Sequence, residues 1–217
     1  MRERYIKQLR VIQDDLLRMG SRVEVALATA VRALDRWDID LAQEVIANEP
    51  EINMARTSIE EKVREIIAMQ QPVATDLRVL LAAVAIAGEL ERVGDYAKGI
   101  AKRVSECLRT PQLVEVPMEL RRMGTLVQTS LSTSLDSFVN MDVTLARTLG
   151  VQDEEIDALE DQVIALLLDH ARGDQRSLDC VIKLLDVAHV LERAADRATN
   201  IAERVIFVAT ANVEEIN

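Results

Sequence analysis

The sequence predicts an all-α fold, two tandem three-helix bundles carrying six long helices, and three observations lead there. Hydrophobic residues fill 49% of the 217 positions but aromatics only 2%, so the apolar mass is Leu, Val, Ile, Ala and Met, side chains that pack well between helices. Seven Gly and four Pro supply too few turns for a sandwich or barrel of many short strands. The third observation is a duplication. Arg18-Met19-Gly20 returns as Arg122-Met123-Gly124, 104 residues later, and the same register carries Val23 onto Val127, Leu27 onto Leu131, Asp38 onto Asp142 and Glu51-Ile52 onto Glu155-Ile156. Farther along the offset shortens to 101: Leu90-Glu91-Arg92 meets Leu191-Glu192-Arg193, Asp95 meets Asp196, and Ile100-Ala101 meets Ile201-Ala202. A unit of about 105 residues is too long for a solenoid repeat, whose period is roughly 20–50. The chain therefore divides into a first three-helix repeat over residues 1–110 and a second over 111–217.

The first helix is predicted near Glu3–Arg36. It ends at Trp37-Asp38, where the Asp38 carboxylate can cap the second, near Ile39–Met69. Pro50 falls inside that second segment and marks either a kink or the true start of a helix preceded by a short one. Gln70-Gln71-Pro72 closes the segment, because proline lacks a backbone donor and bars simple continuation. The third helix, near Asp76–Cys107, opens with Leu77 to Gly88, apolar on nearly every face, as suits the most buried helix of a bundle. Thr110-Pro111 through Pro117 separates the halves. The second half repeats the plan with helices near Met118–Asn140, Val143–Ala171 and Gln175–Ala209, Asp142 as a cap and Arg172-Gly173-Asp174 as a turn.

Charge and composition also exclude. A net charge of −11 argues against a general nucleic-acid binder, which needs a clustered basic surface, yet suits a protein that binds cations. Cys107 and Cys180 are too few for a disulfide scaffold and are expected as small core residues in a reducing compartment. The longest apolar run, Val79 to Gly88, falls far short of the roughly 18–20 residues that cross a bilayer, and no signal-peptide pattern opens the chain. The expectation is a cytoplasmic protein with no direct membrane insertion. No Gly-rich phosphate loop, nucleophile elbow or Cys/His pair with catalytic spacing is present, so no enzymatic activity and no catalytic residue are expected.

The chemical signal lies in paired carboxylates. Glu91 and Asp95 are four residues apart, as are Glu192 and Asp196, and on a helix that spacing stacks both on one face. Like charges so placed destabilise an isolated helix by about 0.2–0.5 kcal/mol, so a basic neighbour or a bound cation must offset them. Asp153 and Asp157 form another such pair upstream in the second half. Their first-half counterparts are Glu49 and Asn53, where asparagine offers only a neutral oxygen and Pro50 interrupts the pattern. Four carboxylates converging from two helices of one bundle would demand a hard or borderline cation. A solvated acidic face is the plainer reading of any single pair. Recurrence of E-R-x-x-D in phase in both units favours metal. His189 lies three residues before Glu192, but its counterpart is Gly88, so the repeat lends it no support and a core or surface histidine is expected.

Leu90-Glu91-Arg92-Val93-Gly94-Asp95 through Ala101 and Leu191-Glu192-Arg193-Ala194-Ala195-Asp196 through Glu203 resemble the paired E/D-x-x-x-D motifs of the PhoU family. Gln71-Pro72-Val73-Ala74-Thr75-Asp76-Leu77-Arg78 is similar to the segment before that family's third helix, and the resemblance spans essentially the whole chain. It implies a PhoU-like pair of three-helix bundles, a homodimer, and carboxylate-bound metal, iron or zinc and multinuclear, with Mg or Mn as alternatives. Carried onto matching positions, the implied metal ligands are Glu91, Asp95, Asp153, Asp157, Glu192, Asp196 and Glu49. It further implies a negative regulator of phosphate uptake and of the phosphate-starvation (Pho) response, an adaptor between the Pst phosphate transporter and a PhoR-type sensor kinase. The alternatives are a metal-dependent phosphohydrolase or a metal-binding paralogue outside phosphate control.

Overall fold

The computed structural model describes residues 2–216 and, among them, contains no strand. Its α-helices are α1 (Arg2–Arg36), α2 (Ile39–Gln70), α3 (Thr75–Cys107), α4 (Met118–Asn140), α5 (Val143–Arg147), α6 (Leu149–Gly173) and α7 (Leu178–Thr210), with a 3₁₀ turn at Gln175–Ser177 before the last. Among the described residues no helix is long and apolar enough to cross a membrane.

The duplication is legible in how helices end. Trp37 and Met141, equivalent positions, both take left-handed backbone (φ 51° and 50°). The next amide reaches back across the last turn, Asp38 N–H to Ala33 C=O and Asp142 N–H to Ser137 C=O, both at 2.9 Å. Each aspartate then caps the following helix: Asp38 accepts from the amides of Asp40 and Leu41, and Asp142 from Leu145. Both expected caps are present. Pro50 does not start a helix, since α2 runs through it unbroken and leaves the proline ring exposed. The predicted fifth helix is instead divided: after one turn, α5 stops at Thr148, whose hydroxyl donates to Leu145 C=O, and α6 begins at Leu149. The Arg172–Asp174 turn leads into the 3₁₀ turn, with Asp174 accepting from the Arg176 amide, so α7 starts three residues later than expected.

Helices α1, α2 and α3 pack as one bundle and α4, α6 and α7 as the other, with α5 against α4 and α7. Two contacts join the bundles: α3 lies along α7 and α1 crosses α4. In the first, Glu89 pairs with Arg197, Tyr96 stacks under Arg193, Arg103 pairs with Asp186, and Cys107 meets Cys180, so the two helices run antiparallel. Both cysteines are buried, with sulfurs 3.1 Å apart. In the second contact, Gly20 faces Leu135 and Gly124 faces Val31. These pairs exchange under the repeat, so a pseudo-twofold relates the bundles. The joining segment is no solvent linker, because Val114 and Val116 are buried in the core shared by both halves. Leu77 to Gly88 is less uniformly covered than its sequence suggests: Leu80, Ala83 and Ile86 are buried but Leu81 is exposed.

Candidate metal centre

The buried stripe of α2 runs Ala42, Val45, Glu49, Ile52, Ile59, Val63 and Ile66, in helical steps of three, four and seven. Glu49 therefore occupies a core position, only 5% exposed. On α6 the matching stripe is Leu149, Asp153, Ile156, Leu159, Val163 and Leu167, with Asp153 in the equivalent place at 8% exposure. Each of these acids faces the E-R-x-x-D element of the adjoining helix, α3 in the first bundle and α7 in the second. Those two elements cross side by side on the central α3/α7 pair, bracketed by Glu89–Arg197 and Tyr96–Arg193.

In the first bundle, basic side chains already balance the acids. Lys98 Nζ donates to Glu49 Oε2 at 2.7 Å, and Asn53 Nδ2 donates to Glu49 Oε1 at 2.6 Å. Burial acts to raise the Glu49 pKa, but the hydrogen bonds from Lys98 and Asn53 outweigh it and hold the carboxyl below its ordinary range. Arg56, the next turn of α2 along, reaches Glu91 Oε1 at 3.1 Å and Glu60 at 2.8 Å. Asp95, at the outer rim, keeps its proton more readily than usual, through partial desolvation first and then through the neighbouring Glu49 and Glu91 carboxylates.

The second bundle has the same acids without that balance. Asp153 makes no side-chain hydrogen bond; burial, aided by the charges of Asp157 and Asp196, pushes its pKa up to about 6. Glu192 is pushed to about 7 by burial and by Asp196, Glu160 and Asp157, with His189 opposing, and its Oε2 is buried without a hydrogen-bond partner. Asp196 is raised as well, again chiefly by burial, against Arg197, Arg193 and His189. Arg197 belongs mainly to Glu89, at 3.3 Å, and reaches Asp196 only at 3.8 Å. His189 Nδ1 stands 3.4 Å from Glu160 and 3.7 Å from Glu192. One donor atom from each of Glu160, His189 and Glu192 lies within 4.8 Å of the others, close enough to share an ion.

Asp153, Asp157, Glu192 and Asp196 feel one another's charge between α6 and α7, and Glu49, Glu91 and Asp95 do so between α2 and α3, while the trio of donor atoms found within 4.8 Å among the described residues is Glu160, His189 and Glu192. A buried, unpartnered Asp153 and an orphaned Glu192 oxygen fit a multivalent cation in the second cluster. The first cluster does not share that need. Three participants were missed in the sequence, Glu160 beside the second site and Arg56 and Lys98 beside the first, and His189, expected as a core or surface histidine, is an exposed one that stands beside Glu160 and Glu192. Arg56 and Glu160 are repeat equivalents at offset 104, and each continues its helix face one turn past Asn53 or Asp157, which was the available signal. Only a comparison of the two repeats position by position exposes it.

A model of the PhoU domain matches residues 16–104 and again 120–205. A phosphate-specific transport system accessory protein PhoU homolog of Caulobacter vibrioides is 38% identical over 208 residues, covering 95% of this chain and 90% of that one. The corresponding protein of Clostridium acetobutylicum is 32% identical over 100% of this chain and 99% of its own. Among solved structures, PhoU from Pseudomonas aeruginosa superposes with a TM-score of 0.90 at 31% identity, covering 96% of this chain and 100% of that one. The phosphate transport system regulatory protein PhoU from Streptococcus pneumoniae gives 0.89 at 28% identity, with 97% and 99% covered.

Proposed function

The chain belongs to the PhoU family, and on that premise we propose that it is an accessory protein of phosphate-specific transport that restrains uptake and starvation signalling when phosphate is plentiful. In this reading it works without catalysing a reaction, as a cytoplasmic homodimer docking between the Pst phosphate transporter and a PhoR-type sensor kinase. The observation that carries the reading is the family match in both repeats, not in one alone.

The metal centre is part of the same proposal. Asp153, Asp157, Glu192 and Asp196 hold a cation between α6 and α7, and the nearby imidazole of His189 points to iron or zinc ahead of magnesium or manganese. Such an ion, when bound, offsets the carboxylate repulsion and can offer an open position to a phosphate oxygen. The chain's own part is to present those carboxylates on two helices whose spacing is fixed by the surrounding Leu, Ile and Val core.

Deleting the gene tests the regulatory role: phosphate uptake should rise and starvation genes should be expressed in phosphate-rich medium. Unchanged uptake and signalling would contradict it. Purified metal-loaded protein should not turn over simple phosphate esters. Turnover that disappears in Glu192→Gln and Asp196→Asn would replace the adaptor with a phosphohydrolase.

A further inference from the structure

We propose that this chain loads metal in its second repeat alone, because in the first repeat the Lys98 ammonium and the Arg56 guanidinium stand where an ion would be needed. The inference rests on the metal reading above and says which half of the molecule it applies to.

The two clusters can be compared residue by residue through the duplication. Glu49, Glu91 and Asp95 correspond to Asp153, Glu192 and Asp196, so the acids are kept. Four further positions change in one direction, and one, Tyr96 to Arg197, runs the other way, although that guanidinium is committed to Glu89 at 3.3 Å and reaches Asp196 only at 3.8 Å. Asn53 becomes Asp157, Arg56 becomes Glu160, Gly88 becomes His189 and Lys98 becomes Thr199. Two fixed positive charges and an amide in the first repeat are thus replaced by carboxylates, an imidazole and a hydroxyl. Thr199 does nothing to restore the balance, since its buried hydroxyl donates back along α7 to Ala195 C=O at 3.0 Å.

Ligand capacity follows the same division. Both Glu49 oxygens are taken at short distance, Oε2 by Lys98 and Oε1 by Asn53, and Glu91 is held by Arg56. A metal needs carboxylate oxygens at about 2.0–2.2 Å, so it would have to displace those donors and then sit beside an ammonium of like sign. Guanidinium cannot escape by losing its proton. In the second repeat no such donor blocks Asp153 or the Glu192 Oε2, and an imidazole nitrogen stands beside Glu192 and Glu160. Carboxylates with one nitrogen donor select a borderline divalent cation, iron(II) or zinc, over calcium or magnesium. Lys98 and Arg56 are then built-in counterions that keep the first bundle assembled whether or not metal is available.

Elemental analysis after dialysis against zinc or iron(II) tests this on the full chain. Glu49→Gln and Asp95→Asn should leave the metal content unchanged. Asp153→Asn combined with Glu192→Gln should lower it at least tenfold. Grafting the second repeat's residues into the first, Arg56→Glu with Lys98→Thr, should raise it about twofold, and adding Glu49→Gln to the graft should remove the gain. Loss of roughly half the metal in Glu49→Gln overturns the proposal, as does metal retained in the Asp153→Asn, Glu192→Gln variant. A graft that keeps its helical circular dichroism yet binds no more than wild type also overturns it. Should the graft fail to fold, the Glu49→Gln comparison decides alone. A wild-type chain that takes up no metal overturns the metal reading itself, and this inference with it.

Discussion

A carboxylate buried without a partner holds its proton, and Asp153 and Glu192 turn that preference into a pH response. In the folded chain they titrate near pH 6 and 7, against ordinary values of 3.8 and 4.5. Between those limits the folded state binds more protons than the unfolded one, so stability falls as pH rises through the window. Thermal melts of metal-free protein should therefore show a lower Tm at pH 8 than at pH 5, and a profile flat across that range would contradict the unbalanced cluster. Asp153→Asn removes the charge but keeps the shape, and should stabilise the metal-free protein at pH 8 by on the order of 2 kcal/mol while weakening metal uptake. Glu49 works in the opposite sense. Its lowered pKa gives stability that is lost only as pH falls below the ordinary carboxylate range. Lys98→Met leaves Glu49 buried without its counterion and should cost about 2 kcal/mol at pH 7 by chemical denaturation, less than a fully buried pair because Lys98 is partly exposed. The acids themselves were legible in the sequence because they repeat at helical spacing. Their balance was not, since whether a carboxylate is offset depends on Arg56 and Lys98 reaching across from neighbouring turns and helices.

At the scale of the helices, local chemistry fixed most boundaries. Asp38 and Asp142 each follow a left-handed residue and cap the next helix, a conjunction readable from sequence because aspartate is a strong cap and the two lie in register. Asp142→Ala should cost about 1 kcal/mol in a denaturant melt, with no change in metal content. The break at Thr148 could not be read, because a threonine hydroxyl also bonds back within unbroken helix, as at Thr199; at Thr148 the backbone N–H joins it on Leu145 C=O and tightens the turn. Pro50 left two readings open, and the structure excludes the one in which it starts a helix. The helix passes through it, with the ring on the exposed side and Glu49 beside it in the core. Since the ring is exposed, Pro50→Ala should stabilise the protein by about 1–3 kcal/mol. A loss of stability on that change would show that the proline sets the angle at which Glu49 enters the cluster.

Over the whole molecule the duplication is an assembly rule as well as a sequence pattern. The repeated Arg-Met-Gly places Gly20 on α1 and Gly124 on α4 where those helices cross. A Cβ on Gly20 would stand 2.7 Å from Leu135 Cδ1, and one on Gly124 3.0 Å from Val31 Cγ1. Gly20→Leu should therefore force α1 from α4 and cost about 2–3 kcal/mol, seen as a lower melting temperature, whereas the same change at the unobstructed Gly99 should cost far less. Two bundles could be foreseen from the repeat, but their union could not. Apolar faces carry no code for which face they meet, so the antiparallel α3/α7 pair and the single core beneath both halves emerge only in three dimensions. That union places the balanced and unbalanced clusters on opposite flanks of the same central helices. Where an ion sits in the wild-type chain decides most directly whether the difference between them is real. Crystals grown with zinc and measured on both sides of its absorption edge should show anomalous density among Asp153, Asp157, Glu192 and Asp196, and none beside Glu49. Density beside Glu49 with Lys98 swung away, or no density at either cluster, would contradict it.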